Sequence, residues 1–198
     1  TSLKPKNVFE IGANFGQDAA CLMKGFALKP KDIYVFEPHP ALIKSIKDNF
    51  EFNAFDYVLS NINATVVFNA INLEKKSNNG ISSLRTHRLV NKNKFNKIHK
   101  NSWRMDRFMS NYHISNIDFL KIDVEGCNFE VLEGFGKKLN NVNSIHIESE
   151  HKEIWKGQKL WMDIKTYLEK YNFENIYFKR YLDQSNSFWI KKRYLQHR

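Results

Sequence analysis

The stretch DFLKIDVEGCNFEVLEGFG, residues 118–136, places charged side chains inside and directly after an apolar run. The run before Asp123 is typical of a buried strand, although Lys121 interrupts it and Glu125 follows it closely. Apolar residues at helical spacing then begin near Asn128. A buried strand followed by a helix predicts an α/β sheet, in which ligands bind beyond the carboxyl ends of the strands. The two carboxylates therefore mark a candidate site.

Short apolar strands and longer amphipathic helices alternate along the rest of the chain. Strands are predicted at 7–13, 32–38, 64–71, 144–149, 175–181 and 187–193, and helices at 17–27, 40–50, 106–113, 128–139 and 158–171. This alternation predicts a mostly parallel sheet with helices on both faces. The last two strands, five residues apart, predict an antiparallel C-terminal hairpin. Asp106 is the predicted N-cap of the helix at 106–113.

The segment between Lys75 and Met105 is strongly basic. It holds nine Lys or Arg residues, two His and no acid, in a chain of net charge +10. With SNNG at 77–80, it predicts a long loop with at most a short helix. Two interpretations stay open, a solvated surface loop or a cradle for an anionic partner such as phosphate or nucleic acid.

Bulk properties predict one domain over residues 1–198. The chain is 42% hydrophobic and holds no apolar stretch of the roughly 18–20 residues that a membrane span needs. It starts without Met and reaches its first predicted strand near Val8, so we expect a domain excised from a longer protein. Two cysteines, Cys21 and Cys127, are too few for a disulfide framework and predict free thiols in the cytoplasm.

Two further strand ends carry residues suited to a nucleoside. EIGANFG (10–16) follows the first strand, and its glycines allow a sharp turn that points backbone N–H groups at a ligand. FEP (36–38) ends the second strand, and its Glu37 carboxylate suits a ribose diol. The loop lacks the third glycine of a dinucleotide site and carries the acidic Glu10. A cofactor without phosphate, S-adenosylmethionine, meets these conditions.

Several acids are expected at the same rim of the sheet. The strand containing Lys121 delivers Asp123 and Glu125, and the next delivers Glu148, with Glu150 and His151 behind it. Clustered carboxylates repel one another unless something positive lies among them. A sulfonium with its ammonium group, a divalent metal such as Mg or Mn, or Lys121 itself would serve. The structural alternative is that Lys121 pairs with a neighbouring acid and Glu125 caps the next helix.

The motifs EIGANFG, VFEPHP (35–40) and DFLKIDVEGCNFEVLEG (118–134) together resemble the FkbM-type methyltransferases, which use S-adenosylmethionine. WRMDRF (103–108) and IHIESE (145–150) extend the resemblance, which runs from about Val8 to Glu150. It implies a class I methyltransferase (Rossmann-like) fold, a mostly parallel seven-stranded sheet with a reversed last strand. The chain departs from the family pattern at Cys127-Asn128, on the substrate side.

We expect methyl transfer to a hydroxyl oxygen. A hydroxyl is a weak acid, so the reaction needs a base that removes its proton and alignment of the oxygen with the methyl donor. The candidate catalytic residues at the rim are Asp123, Glu125, Glu148, His151 and Lys121. The candidate cofactor-binding residues, which follow the predicted strands, are Glu10, Gly12, Ala13, Asn14, Gly16, Glu37, Pro38, Asn72 and Asp123. Metal ligands cannot be assigned, because no tight metal-ligand spacing occurs.

The expected acceptor is a sugar or glycan hydroxyl, as the resemblance suggests. Trp155, Trp161 and Trp189 fit a sugar site, although core packing is the commoner role of such residues. Glycosyltransferase domains of the same polypeptide are expected partners. One alternative is an RNA methyltransferase that holds phosphates with the basic region 75–105, against which stands the lack of an Asn-Pro-Pro-Tyr-type loop. Another is a nucleotide-binding module without methyl transfer.

Overall fold

Ten strands and five α-helices make up the part of the chain that the computed structural model describes, residues 4–75 and 80–195. Most of the predicted SNNG turn lies outside the described residues. No helix within the two ranges is long and apolar enough to cross a membrane. The strands are β1 Val8–Ile11, β2 Ile33–Phe36, β3 Asn53–Phe55, β4 Val58–Leu59, β5 Ala64–Ile71, β6 Phe95–Trp103, β7 Ile117–Ile122, β8 Val142–Glu150, β9 Phe173–Tyr181 and β10 Gln184–Lys191. The helices are α1 Gln17–Phe26, α2 Pro40–Asn49, α3 Met105–Asn111, α4 Asn128–Phe135 and α5 Trp161–Lys170, with short 3-10 turns at Pro30–Asp32, Leu73–Lys75, Lys92–Lys94, Gly136–Asn141 and Lys192–Tyr194.

The main sheet has seven strands in the order β3-β2-β1-β7-β8-β10-β9. All neighbouring pairs are parallel except those of β10, which runs antiparallel to both β8 and β9. This confirms the predicted mostly parallel sheet with an antiparallel C-terminal pair. The strand order reverses at β1, so the carboxyl ends of β1, β2 and β7 meet at a topological switch point.

Helices cover both faces of the main sheet, because alternate residues of each central strand are apolar on both sides. Phe9 and Ile11 of β1 pack with α3, α4 and α5 in the larger core cluster. Val8 packs on the opposite face, against residues of α1 and α2 such as Ala19 and Ile46. Glu10 shares the face of Val8, so its carboxylate is buried beneath α1.

The hairpin differs in detail from its prediction. Leu182 and Asp183 alone join β9 to β10, so the predicted five-residue connection is wrong. Leu182 takes a left-handed conformation with φ of 52°, which lets a two-residue turn close the pair. β9 is the edge strand, and most of its residues from Glu174 to Tyr181 are exposed.

Residues Phe95–Trp103 of the basic segment form a strand where a loop was predicted. β6 pairs antiparallel with β5 and parallel with the short β4 in a separate three-stranded sheet. Only Ser102 of β6 is fully buried, so the strand has no apolar alternation that would reveal it. Its polar side chains are solvated while its backbone groups pair with β5.

The start of α3 also corrects a prediction. Arg104, not Asp106, is the N-cap, and Asp106 lies in the first turn. The Asp106 carboxylate accepts hydrogen bonds from the Arg104 guanidinium at 2.6 Å and from the Arg107 backbone N–H at 2.7 Å. The acid thus stabilises the first turn from inside the helix.

Candidate functional site

A cleft of about 870 Å³, counting the open volume at its mouth, lies beyond the carboxyl ends of β1, β2 and β7. The loop after β1, the tip of β2 and the rim residues after β7 line it, and the basic segment contributes Ser82, Ser83 and Leu84. The predicted site residues that line the cleft are Glu10, Gly12, Ala13, Asn14, Glu37, Pro38, Lys121, Asp123 and Glu125. The structure therefore brings both predicted groups together in one cavity.

The turn after β1 fits tightly between its neighbouring strands. Gly12 has φ of 85°, and a Cβ built on it would lie 1.9 Å from the Asp123 carbonyl oxygen. The backbone N–H groups of Gly12 and Ala13 donate to the Phe36 carbonyl at 3.0 and 3.2 Å. Only glycine meets both the conformation and the contact, so this position fixes how the loop enters the cleft. Gly16 ends the loop with φ of 77° at the N-terminus of α1.

Glu37 joins the loop to the tip of β2. Its two carboxylate oxygens accept hydrogen bonds from the backbone N–H groups of Asn14, at 2.9 Å, and His39, at 2.8 Å. Burial raises the pKa of Glu37 to about 7, although these two hydrogen bonds oppose the shift. Each carboxylate oxygen has a further lone pair, so Glu37 retains capacity for hydroxyl donors in the cleft.

The residues present fit S-adenosylmethionine. The side-chain Oδ1 of Asn14 is buried beside Glu37 and has no hydrogen-bond partner among the described residues. An unpaired buried acceptor is costly unless a ligand donates to it. A ribose diol and an ammonium group offer such donors, and apolar walls from Phe36, Leu42 and Leu59 suit an adenine ring.

Lys121 supplies the positive charge among the acids. The register of β1 and β7 places Lys121 opposite Glu10. The Lys121 Nζ lies 2.9 Å from the Glu10 carboxylate and 2.7 Å from that of Asp18. Asp123 is farther, at 3.8 Å. Burial alone would lower the pKa of Lys121, but the carboxylates of Glu10 and Asp123 outweigh it and raise the pKa. The lysine therefore stays charged beneath the loop.

Three carboxyl groups at the ends of β7 and β8, those of Glu125, Glu148 and Glu150, have raised pKa values. Burial raises the pKa of Glu125 well above its ordinary value, and Asp123, Glu148 and Glu150 add to the shift. Burial and the charge of Asp123 raise the pKa of Glu148 to about 7. The pKa of Glu150 is also raised to about 7, chiefly by burial. Asp123 is the most open of the four, with 37% of its side chain exposed.

The partners of these acids come from distant parts of the chain. Glu125 accepts a hydrogen bond from the indole N–H of Trp155 at 3.2 Å, and Glu148 accepts one from Gln184 at 2.9 Å. The N-cap of α4 is Cys127, so Glu125 does not cap that helix as the structural alternative supposed. A Cβ on Gly126 would lie 2.5 Å from Trp155, so the packing of this indole requires the glycine.

Four predicted site residues do not line the cleft, namely Gly16, Asn72, Glu148 and His151. The Asn72 side chain accepts the backbone N–H of Glu74 at 3.0 Å and forms a local turn. His151 follows β8, where its ring lies about 6 Å from those of Trp161 and Phe178. Burial lowers the pKa of His151, and its Nε2 has no partner in the described ranges. The assignments of Asn72 and His151 stay predictions.

Sequence reasoning missed the contribution of the basic segment to the cleft. The Ser83 hydroxyl donates to the Glu125 carbonyl at 2.6 Å, and Tyr57 lines the opposite wall. Within residues 4–75 and 80–195, no group of three or more His, Cys, Asp or Glu is arranged to hold a metal ion.

The sheet order and the cleft at its switch point define the class I methyltransferase fold. The chain belongs to the FkbM methyltransferase family, since the pattern described as "Methyltransferase FkbM domain" matches residues 10–174. The crystal structure of the methyltransferase FkbM from Methylobacillus flagellatus KT shares this fold, with a TM-score of 0.62 and 12% identity. That comparison covers 93% of this chain and 44% of the other.

One curated relative is the 2-O-methyltransferase NoeI of Sinorhizobium fredii (strain NBRC 101917 / NGR234). It is 23% identical over 168 residues, which cover 76% of this chain and 66% of NoeI. The chain thus matches somewhat less than two thirds of that relative's length and under half of the FkbM crystal structure's chain.

Proposed function

We propose that this protein transfers a methyl group from S-adenosylmethionine to a hydroxyl of a sugar-containing acceptor. The observation that carries the proposal is the cleft itself. At one end Glu37 and the unpaired Asn14 Oδ1 offer acceptors to a nucleoside, and beside them lie the rim acids Asp123 and Glu125. Two comparisons support the same reaction class: the chain belongs to the FkbM methyltransferase family, and its relative NoeI is named a 2-O-methyltransferase.

The protein's residues would hold and orient the reactants. Glu37 would accept the ribose hydroxyls, and Asn14 would accept one further N–H or O–H donor. Asp123, the most open acid, would face the ammonium and sulfonium charge. When bound, S-adenosylmethionine supplies an electrophilic methyl group on sulfur. Alignment of the acceptor oxygen with that methyl group is then the main requirement.

Glu148 is the strongest candidate for the general base. A base works best when its pKa lies near the working pH, and burial together with Asp123 places that of Glu148 at about 7. The hydrogen bond from Gln184 fixes one carboxylate oxygen and leaves the other oxygen to take the hydroxyl proton. Burial raises the pKa of Glu125 well above its ordinary value and so favours its protonated form, which suits a hydrogen-bond donor to the acceptor.

Exposed aromatic rings near the same rim favour a sugar. Trp155 and Trp189 are fully buried, so their role is core packing. Trp161 is only half-buried, and its ring lies 4.7 Å from that of Phe178, which is 42% exposed. Aromatic faces of this kind pack well against the apolar faces of sugar rings. Trp161 and Phe178 therefore form a candidate platform for the acceptor.

The first test is calorimetry of the purified chain with S-adenosylhomocysteine and, separately, with NAD. We expect binding of the first and none of the second. Binding of NAD alone would favour a nucleotide-binding module without methyl transfer. The second test is mass spectrometry of sugars, glycans and RNA incubated with the protein and isotope-labelled cofactor. A mass shift on RNA with none on sugars would contradict the acceptor assignment.

A further inference from the structure

A second concavity lies beside the cofactor cleft, between β5, β6 and the chain that precedes β6. Its volume is about 430 Å³. Its polar lining comes mostly from the basic segment and includes Arg85, Thr86, His87, Lys92 and Lys97. No Asp or Glu lines it. We call it the basic pocket.

The basic pocket has unbalanced positive charge. Neither Lys92 nor Lys97 forms an ion pair with any residue in the ranges 4–75 and 80–195. Other cations of the same segment are neutralised, since Arg85 pairs with Glu130 and Arg88 pairs with Glu153 at 3.0 Å. A solvated surface normally carries charges of both signs, so a concavity with free lysines and no acid favours an anion.

One further donor of the basic pocket is held in place. The His87 Nδ1 accepts the backbone N–H groups of Leu89 and Val90, both at 3.0 Å, so the neutral ring carries its proton on Nε2. The ring also packs edge-on against Trp155, at 4.7 Å between centroids. The Nε2–H of His87 is therefore a preorganised donor. The Arg85 guanidinium is already engaged, because it donates to Glu130 and to the Lys156 carbonyl.

The basic pocket and the cofactor cleft share one short segment of chain. Ser83 and Leu84 line the cleft, and Arg85, Thr86 and His87 line the pocket. Three residues of extended chain span at most about 11 Å, so the two cavities are close neighbours. A single acceptor can therefore reach both.

We propose that the basic pocket binds a phosphate or diphosphate group of the acceptor, so that the substrate is a phosphorylated sugar, such as a sugar phosphate or a nucleoside diphosphate sugar. The inference rests on the proposed methyl transfer and specifies its substrate class. The anion would anchor the acceptor through Lys92, Lys97 and the His87 Nε2–H while the sugar hydroxyl lies at the rim acids. Docking of the charged group would thus decide which molecules are methylated.

The direct test is binding of inorganic pyrophosphate, measured by calorimetry without cofactor. We expect Lys92→Glu with Lys97→Glu to weaken binding by at least about tenfold, because two attractive charges become repulsive. The matched control is Lys47→Glu with Lys137→Glu, an equal charge change at exposed lysines outside the pocket, which should alter binding less than about twofold. Lys92→Gln with Lys97→Gln serves as a milder pair if the reversed variant unfolds.

Failure of this inference is distinct from failure of the proposed function, because pyrophosphate binding requires no methyl transfer. No pyrophosphate binding by the native chain, or equal loss in both double variants, would overturn the inference. Kinetics give a second readout. The pocket variant should raise the KM of a phosphorylated sugar and leave affinity for S-adenosylhomocysteine unchanged. The contrary outcome is that an oligoribonucleotide binds far more tightly than pyrophosphate, with an affinity that falls with salt concentration as steeply as contacts to many phosphates require. That result would assign the surface to nucleic acid and overturn the sugar-phosphate proposal.

Discussion

Glu37 holds the cofactor loop in shape and offers acceptors to the cleft at the same time. Its oxygens accept the N–H groups of Asn14 and His39, and it is almost fully buried. A buried carboxylate is retained only where hydrogen bonds compensate for lost hydration. Glu37 receives two such bonds from protein and has capacity for two more from a ribose.

Glu37→Gln should weaken binding of S-adenosylhomocysteine by about 1–3 kcal/mol, because the amide loses charge-assisted hydrogen bonds to the ribose. Calorimetry at pH 8 measures the effect. Glu51→Gln, at an exposed acid outside the cleft, is the control and should bind normally. An unchanged affinity in Glu37→Gln would contradict the ribose role.

Gly12→Ala should destabilise the protein by about 2 kcal/mol or more, because its Cβ would collide with the Asp123 carbonyl and φ is positive. Gly25→Ala is the control: Gly25 lies inside α1 with no atom near its Cβ position, so alanine should stabilise by about 0.5–1 kcal/mol. Thermal unfolding measures both changes. Equal effects would show that the turn after β1 tolerates a side chain.

Gly12 and Glu37 were predictable from sequence, because their roles depend on the local turn after a strand. The partners of Glu125 and Glu148 were not, because Trp155 and Gln184 lie 30 and 36 residues farther along the chain. Their proximity arises from strand pairing and from a loop that packs on Gly126. Local patterns carry no information on such contacts.

The ends of β7 and β8 place the acids of the rim next to one another, so the charge of Asp123 helps to raise the pKa of Glu125 and of Glu148. This is a property of the paired strands, since the acids of β8 would lie apart from Asp123 without the pairing. Asp123 lines the cleft, and 37% of its side chain is exposed. Glu148 titrates near neutrality and suits proton transfer.

Glu148→Gln and Asp123→Asn should each lower kcat by about a hundredfold or more, the range for a lost base or positioning group. In the native protein kcat/KM, which reports the free enzyme, should rise with pH through about 7, because Glu148 accepts a proton only when ionised. The Glu148→Gln variant should lose that limb. Rates from pH 5.5 to 9 measure it, and an unaltered profile in the variant would assign the base to another residue.

The central strands of the main sheet were predictable from the sequence because they are buried on both faces. β9 and β10 begin earlier than predicted, at Phe173 and Gln184, and the start of β10 was missed because its alternate buried residues are Ser185 and Ser187, which carry no hydrophobic period. β6 was missed for the same reason. β3 and β4, at three and two residues, are too short for any periodic pattern.

Across the whole molecule, Trp155 connects the small sheet to the large one. Its ring is buried on Gly126 and against His87, its indole donates to Glu125, and the residues beside it pair with the backbone of Thr86 and Arg88. The basic segment is thereby fastened to the rim of the main sheet. Together with the Ser83 hydrogen bond to Glu125 and the Arg85–Glu130 ion pair, Trp155 holds the cofactor cleft and the basic pocket in fixed relation.

Trp155→Ala should lower the free energy of unfolding by about 3–5 kcal/mol and release the segment near Arg88, because a large buried ring is lost. Trypsin cleavage after Arg88 under native conditions, followed by mass spectrometry, measures the release. Trp155→Phe keeps most of the packing and is the control, with a smaller increase in cleavage. Destabilisation without faster cleavage at Arg88 would contradict the fastening role.

Both cysteines are free, and they differ in a way that gives a probe of the cleft. Cys21 is exposed on α1, while Cys127 is buried among the cleft-lining residues, where burial raises the pKa of its thiol to about 12. A thiol reagent at pH 8 should therefore label Cys21 at once and Cys127 only when the surrounding structure opens. In a Cys21→Ser variant, the rate of labelling at Cys127 measures how often the structure around the cleft opens. Ligands that close the cleft should lower that rate.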